Sequence, residues 1–199
     1  MDPASNSYDG VWRGEIFLDS KSGDSAKSYA PVPADDPHRR LVSAKPEDQT
    51  LRHIGVVGDT YTILLSGDDT AGRFCLIDMH IPPGGGPPPH RHDFEETFTV
   101  VDGELAMTFR GERSVARAGE TIHIPANAPH QFHNSAGQAA RLLCICAPAG
   151  LERFFMDVGV PVATRTMAPP KLDDAAQGAF LAKAKALAPK YRTELLEHA

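Results

Sequence analysis

The chain has 199 residues and a formal charge of −6, which is enough for one well-packed domain with extensions. The acidic balance argues against a nucleic-acid surface, and three cysteines, an odd count, give no disulfide framework. No apolar run approaches a membrane span and no basic stretch followed by an apolar run opens the chain, so a cytoplasmic protein is expected.

Residues 1–50 are polar and read as an N-terminal arm. Only Val11-Trp12 and Glu15 to Leu18 are apolar enough to pack, and Trp12 and Phe17 are candidate anchors on a partner subunit. Residues 51–160 read as a β-barrel that starts near His53. Tyr61 to Leu65 and Arg73 to Ile81 are rich in β-formers and end at turn residues. Gly67 to Gly72 joins them as a hairpin-like loop. Pro82 to Pro89 holds five prolines and three glycines, so it is a rigid loop and not a central strand. Further strands are expected at Thr97 to Val101, Leu105 to Phe109, Ser114 to Ala116, Thr121 to Ile124, Gln131 to His133 and Arg141 to Ala147. Asp102-Gly103 and Ala118-Gly119 suit the tight turns between them. Long helices between strands are missing, which makes the fold class all-β and argues against a parallel α/β sheet.

Residues 161–199 read as a C-terminal helical extension. Before it, Gly150 to Gly159 forms a short helix that sets Phe154 and Phe155 against a barrel end. Asp173-Asp174 caps a helix over Ala175 to Ala188, and Pro189 starts a second short helix that ends near Leu196. Cys144 and Cys146 lie in an apolar run and read as small core residues. A second metal site at these thiols has no third or fourth soft ligand nearby.

The chemistry concentrates between Gly84 and Asn134. His90 and His92 are two residues apart and Glu96 lies six beyond His90, so an unbroken strand turns all three to one face. His130 arrives from a different strand. Three imidazoles and one carboxylate suit one divalent transition metal, whether Fe, Mn, Ni, Co, Cu or Zn. On a six-coordinate ion two positions stay open. Parity favours Glu96 over its neighbour Glu95, which then faces outward. His123 and His133 are odd steps from His130 and fall outside the ligand set, and His80 reads as a surface or packing residue. His38, His53 and His198 read as solvated.

Gly84, His90, His92, Glu96 and Gly103 match the spacing of the first cupin motif at every position. Gly119, Pro125, His130 and Asn134 match the second motif, with Asn127 where the family has glycine. Asn is the residue that best replaces glycine at positive φ. The chain therefore resembles the cupin superfamily over Leu51 to Val160. The resemblance implies a conical antiparallel jelly-roll barrel with the metal in its mouth, and it carries His90, His92, Glu96 and His130 over as ligands. The loop Pro82 to His92 and the segment Ala149 to Phe155 are similar to single-domain cupins grouped with quercetin 2,3-dioxygenase. Single cupin units commonly pair, so a homodimer is expected.

Three function classes follow, because one fold carries many functions. The first is a metal-dependent dioxygenase acting on a small oxygenated aromatic or enolic compound, with Glu96 as both ligand and catalytic base if its second oxygen stays free. The second is a metal-dependent isomerase or lyase, and the third a small-ligand binder without turnover. Phe98 and Val100 share the facing of Glu96, Leu105, Met107 and Phe109 line one face of the next strand, and Phe132 shares the facing of His130. Phe98, Met107, Phe109 and Phe132 are thus the expected pocket wall, apolar and aromatic, without a Lys or Arg to meet a phosphate.

Overall fold

Runs of β-branched and aromatic residues bounded by Gly, Pro and Asp make twelve short strands among the described residues of a computed structural model. The structure describes residues 31–197. The chain falls into two units, Met1–Arg40 and Leu41–Ala199. In the first unit, residues 31–40 are exposed and hold one turn, in which Arg39 N donates to Asp36 O at 3.1 Å. The anchors Trp12 and Phe17, the apolar segments around them, and His198 lie outside the described residues.

The second unit begins ten residues before the expected barrel boundary. Glu47 lies 3.2 Å from Arg165, which ties the segment 41–50 to this unit. Its strands are β1 (Arg52–Val56), β2 (Asp59–Leu65), β3 (Cys75–Ile81), β4 (His90–His92), β5 (Glu95–Asp102), β6 (Glu104–Phe109), β7 (Glu112–Arg117), β8 (Thr121–Ile124), β9 (His130–His133), β10 (Ala140–Ala147), β11 (Val160–Pro161) and β12 (Thr193–Leu195). All pairings are antiparallel. They nest: β6 pairs with β7, β5 with β8, β4 with β9 and β3 with β10. Successive nested pairs alternate between a seven-stranded and a five-stranded sheet. This is a jelly roll, in which a long hairpin wraps around itself and buries one face of each sheet. Ile77, Met79, Phe98, Val100, Leu105, Ile124 and Leu142 fill its interior. Each such side chain contributes roughly 1.5–3 kcal/mol relative to exposure.

Four local expectations need correction. The strand from His90 does not run unbroken to Glu96. It stops at His92, and β5 restarts in the other sheet. Asp93 and Phe94 form the corner, where Phe94 stacks on His92 at 3.9 Å and Arg192 clasps Asp93 at 2.5 Å. The loop after β2 holds a one-turn helix, α1 (Gly67–Thr70). The C-terminal segment is not wholly helical. After α2 (Leu151–Val158) and α3 (Asp174–Leu187), a 3₁₀ turn over Ala188–Tyr191 leads into β12, which pairs with the edge of β4. His53 is buried, with Nδ1 2.8 Å from Thr62 Oγ1, because β1 is covered by β2 and by the chain beyond Gly159.

The caps follow from sequence. Asp173 is the N-cap of α3 and accepts from Ala176 N at 2.8 Å. Phe154 and Phe155 of α2 are buried, and Phe155 meets Tyr61 at 4.6 Å between ring centroids. Thus α2, α3 and β12 close one end of the barrel.

Candidate metal centre

His90 and His92 stand on β4, Glu96 on β5 and His130 on β9. Register sets His90 opposite His130 across the β4–β9 pair. One ligand atom from each of the four lies within 4.8 Å of the others. The corner at Asp93–Phe94, not strand parity, turns Glu96 toward the imidazoles. The two motifs are also latched at their ends: Gly84 N donates to Asn134 O at 2.8 Å, and Asn134 N donates to Gly85 O at 2.9 Å. Asn134 is fully buried and its side chain donates to Ile81 O and Gln138 O, both at 2.8 Å. Asn127 has φ 69° and donates its backbone N–H to His92 O at 2.7 Å. The glycine-like turn survives there because Asn tolerates the left-handed region.

The donor chemistry fits a metal cation. A carbonyl oxygen can only accept, so each ring donates from Nδ1: His90 to Pro88 O, His92 to Phe94 O and His130 to Ala128 O, each at 2.9 Å. This tautomer puts the lone pair on Nε2. His92 Nε2 and His130 Nε2 then face Glu96 Oε2 at 2.9 and 3.1 Å. Two lone-pair bearers at that distance need a cation between them, either a proton or a metal. Electrostatics agree. Burial alone would raise the Glu96 carboxyl, but hydrogen bonds from His130 and His92 hold it well below the usual carboxylate range. Burial depresses His130, yet the bond to Glu96 and its charge lift the ring above its ordinary value. His90 falls to about 4, chiefly by burial and then by the charge of His130, so it is a neutral donor near neutral pH.

The second oxygen of Glu96 is not free. Oε1 accepts from Cys144 Sγ at 3.3 Å and Cys146 Sγ at 3.7 Å. Cys75 stands opposite Cys146 in the β3–β10 register, so all three cysteines gather behind the carboxylate. The Cys144 thiol is lowered by its contact with Cys146, but burial and the charge of Glu96 push it up to about 12. It therefore stays protonated and donates. Glu95 faces outward and lies 3.1 Å from His123, while His133 is exposed.

A cavity of about 290 Å³ adjoins the centre, and His90 and Glu96 form part of its wall. Phe98 and Phe132 line it, with rings edge to face at 5.4 Å. Met107 and Phe109, expected beside them, do not line it: Met107 is core and Phe109 packs against the core. Their places are taken by residues that strand periodicity did not single out, namely Asp59, Tyr61 and Met79 from β2 and β3, and Phe154, Phe155 and Phe180 from the helices. Among the described residues, no Lys or Arg lines it.

Comparison with known proteins agrees with this picture. A family model described as a cupin domain matches residues 77–146. Quercetin 2,3-dioxygenase of Bacillus subtilis is 26% identical over 102 residues, which is 51% of this chain and 30% of that protein. An uncharacterised protein of Methanocaldococcus jannaschii is 30% identical over 74 residues, which is 37% of this chain and 59% of that protein. The chain thus spans less than two thirds of either relative. Among solved structures, a cupin-superfamily sugar phosphate isomerase from Silicibacter pomeroyi is similar at 23% identity and a TM-score of 0.44, covering 50% of this chain and 71% of that one. Both motifs, the nested pairing of strands and the family model agree, and residues 77–146 of this chain form a cupin domain.

Proposed function

We propose that this chain is a metal-dependent dioxygenase of small oxygenated aromatic or enolic compounds, with one divalent transition metal held by His90, His92, Glu96 and His130. The observation that carries the reading is that two of four clustered metal-type donors, His90 and Glu96, line an apolar, aromatic cavity with no cationic side chain among the described residues. Similarity to the Bacillus subtilis quercetin 2,3-dioxygenase supports it. A bound metal would supply Lewis acidity to a substrate oxygen and, in its redox-active forms, a site for O₂. The chain's own residues do the rest. Phe98 and Phe132 present ring faces and edges to a flat ligand. Phe154, Phe155 and Phe180 add aromatic surface to the cavity wall. The volume sits at the low end of the range of about 300–1,000 Å³ for small-molecule sites, which favours catechols and β-diketones over larger flavonols.

The test is metal analysis of the purified protein, then oxygen uptake by the Fe, Mn, Ni and Co forms with a catechol, a β-diketone and a flavonol. Uptake by at least one form is expected. No uptake by any form, with isomerisation of a sugar or keto acid under nitrogen, would move the assignment to an isomerase or lyase. We also propose a homodimer, which light scattering at micromolar concentration tests. A monomer there removes it.

A further inference from the structure

Asp59 belongs to the cavity wall, and the metal centre makes no use of it. It opens β2 two residues before Tyr61, so both side chains share the inward face. Asp59 is 2% exposed. Tyr61 Oη donates to its Oδ2 at 3.0 Å. Its Oδ1 is buried without a hydrogen-bond partner. Such an orphan is rare in a folded protein and calls for an explanation. Gly85 packs closely against Oδ1, so that a Cβ there would run into it. Tyr61 is itself braced by the ring of Phe155. Glu96 offers the opposite picture: Oε2 faces two imidazoles and Oε1 takes two thiols.

We infer that Asp59, positioned by Tyr61, is the carboxylate that binds and deprotonates the hydroxyl of a phenolic or enolic ligand in this cavity, the role that the dioxygenase resemblance implies for Glu96 if its second oxygen is free. The inference rests on the functional reading above and deepens it. In the step, the ligand O–H bond breaks, an O–H bond forms on the Asp59 carboxylate, and the electron pair stays on the ligand oxygen, in the cavity that His90 and Glu96 also line. The ionisable groups that share the cavity with Asp59 are Tyr61, His90 and Glu96. Burial pushes the Asp59 carboxyl up to about 7, while the hydrogen bond from Tyr61 and the nearby Gly86 backbone, which stops short of a hydrogen bond to Oδ1, pull the other way. A carboxyl in that range accepts and returns a proton near neutral pH.

The experiment counts protons. Metal-loaded protein binds catechol under nitrogen at about pH 8, where the free phenol is neutral and Asp59 is ionised. Calorimetry in two buffers of different ionisation enthalpy gives the protons released per catechol. The wild type should release about one proton fewer than Asp59→Asn, because Asp59 keeps it, and the variant should bind at least tenfold more weakly with its metal content unchanged. Equal proton release and equal affinity would overturn the inference and leave the reading of the metal site standing. A wild type that binds no metal, or no catechol, would overturn both. Carboxyl carbon NMR of the metal-free protein gives a second readout. Asp59 should titrate near 7, and Tyr61→Phe should move that midpoint upward. An ordinary carboxylate midpoint near 4 would also overturn the inference.

Discussion

His92 and His130 differ in how they are held, yet each contributes one Nε2 to the same point. His92 is sandwiched against Phe94, and His130 is fully buried between β4 and β6. His92→Ala and His130→Ala should each lower bound metal below about a tenth of the wild-type level, since even changes to residues that only support a ligand cost roughly 10–100-fold in affinity. Elemental analysis beside far-ultraviolet circular dichroism checks this, and wild-type metal in both variants would remove the assignment. Cys144 supports the centre from behind. Cys144→Ala leaves Glu96 Oε1 with the more distant Cys146 thiol. The change should cost about 1–3 kcal/mol in urea unfolding and about tenfold in metal affinity. Cys144→Ser, which restores a donor, should recover part of both.

Among the elements, the Pro-rich loop and the C-terminal segment matter most to the site. The loop from Pro82 to Pro89 approaches β9 so closely that a Cβ on Gly86 would meet the Phe132 carbonyl, and Gly86 has φ 129°. Gly86→Ala should therefore destabilise the fold by about 2–4 kcal/mol and disturb the cavity wall at Phe132. Gly178 in the middle of α3 is the contrasting case, since a Cβ there meets nothing within 4 Å. Gly178→Ala should stabilise by about 0.5–1 kcal/mol. Denaturant midpoints of the two variants decide the matter, and a shift of the same sign in both would contradict this account of the loop. The C-terminal segment adds β12 to the free edge of β4 and lays Phe180 over the cavity. It thereby covers an edge that would otherwise present unpaired backbone groups beside the ligands.

For the molecule as a whole, two buried carboxyls give the metal-free protein opposing pH dependences. Glu96 has a lowered folded pKa. Its contribution is present above the unfolded value of 4.5 and is lost as pH falls through the folded one. Asp59 has a raised pKa. Between its ordinary 3.8 and about 7 the native state holds the extra proton, so stability falls as pH rises through that window. The full fall has an upper bound of about 4 kcal/mol, at about 1.36 kcal/mol per unit. Asp59→Asn should remove it. Urea midpoints of both proteins at about pH 5 and pH 8 should diverge, with the variant gaining at the higher pH. Parallel behaviour would place Asp59 in a solvated setting. The buried carboxyl is thus a stability cost that the folded protein bears at neutral pH.

Much of the site could be read along the chain. Donor types, their number and the glycine-like role of Asn127 follow from spacing and residue chemistry, and the helices over Leu151–Val158 and Asp174–Leu187 follow from apolar periodicity and an Asp cap. Strand parity likewise turned Glu95 outward and Phe98 and Phe132 inward. Parity failed where the chain changed sheets. The corner at Asp93–Phe94 depends on Arg192, a hundred residues away in round terms, and no local pattern reports such a clasp. The Cys144 contact with Glu96 arises from cross-strand register, and the Asp59–Tyr61 pair enters the site only because β2 and the C-terminal helices close the barrel end. Local periodicity decides which face a residue shows. Which residues that face then meets is a matter of long-range packing, and here packing assigns the free carboxyl oxygen to Asp59 and takes it from Glu96.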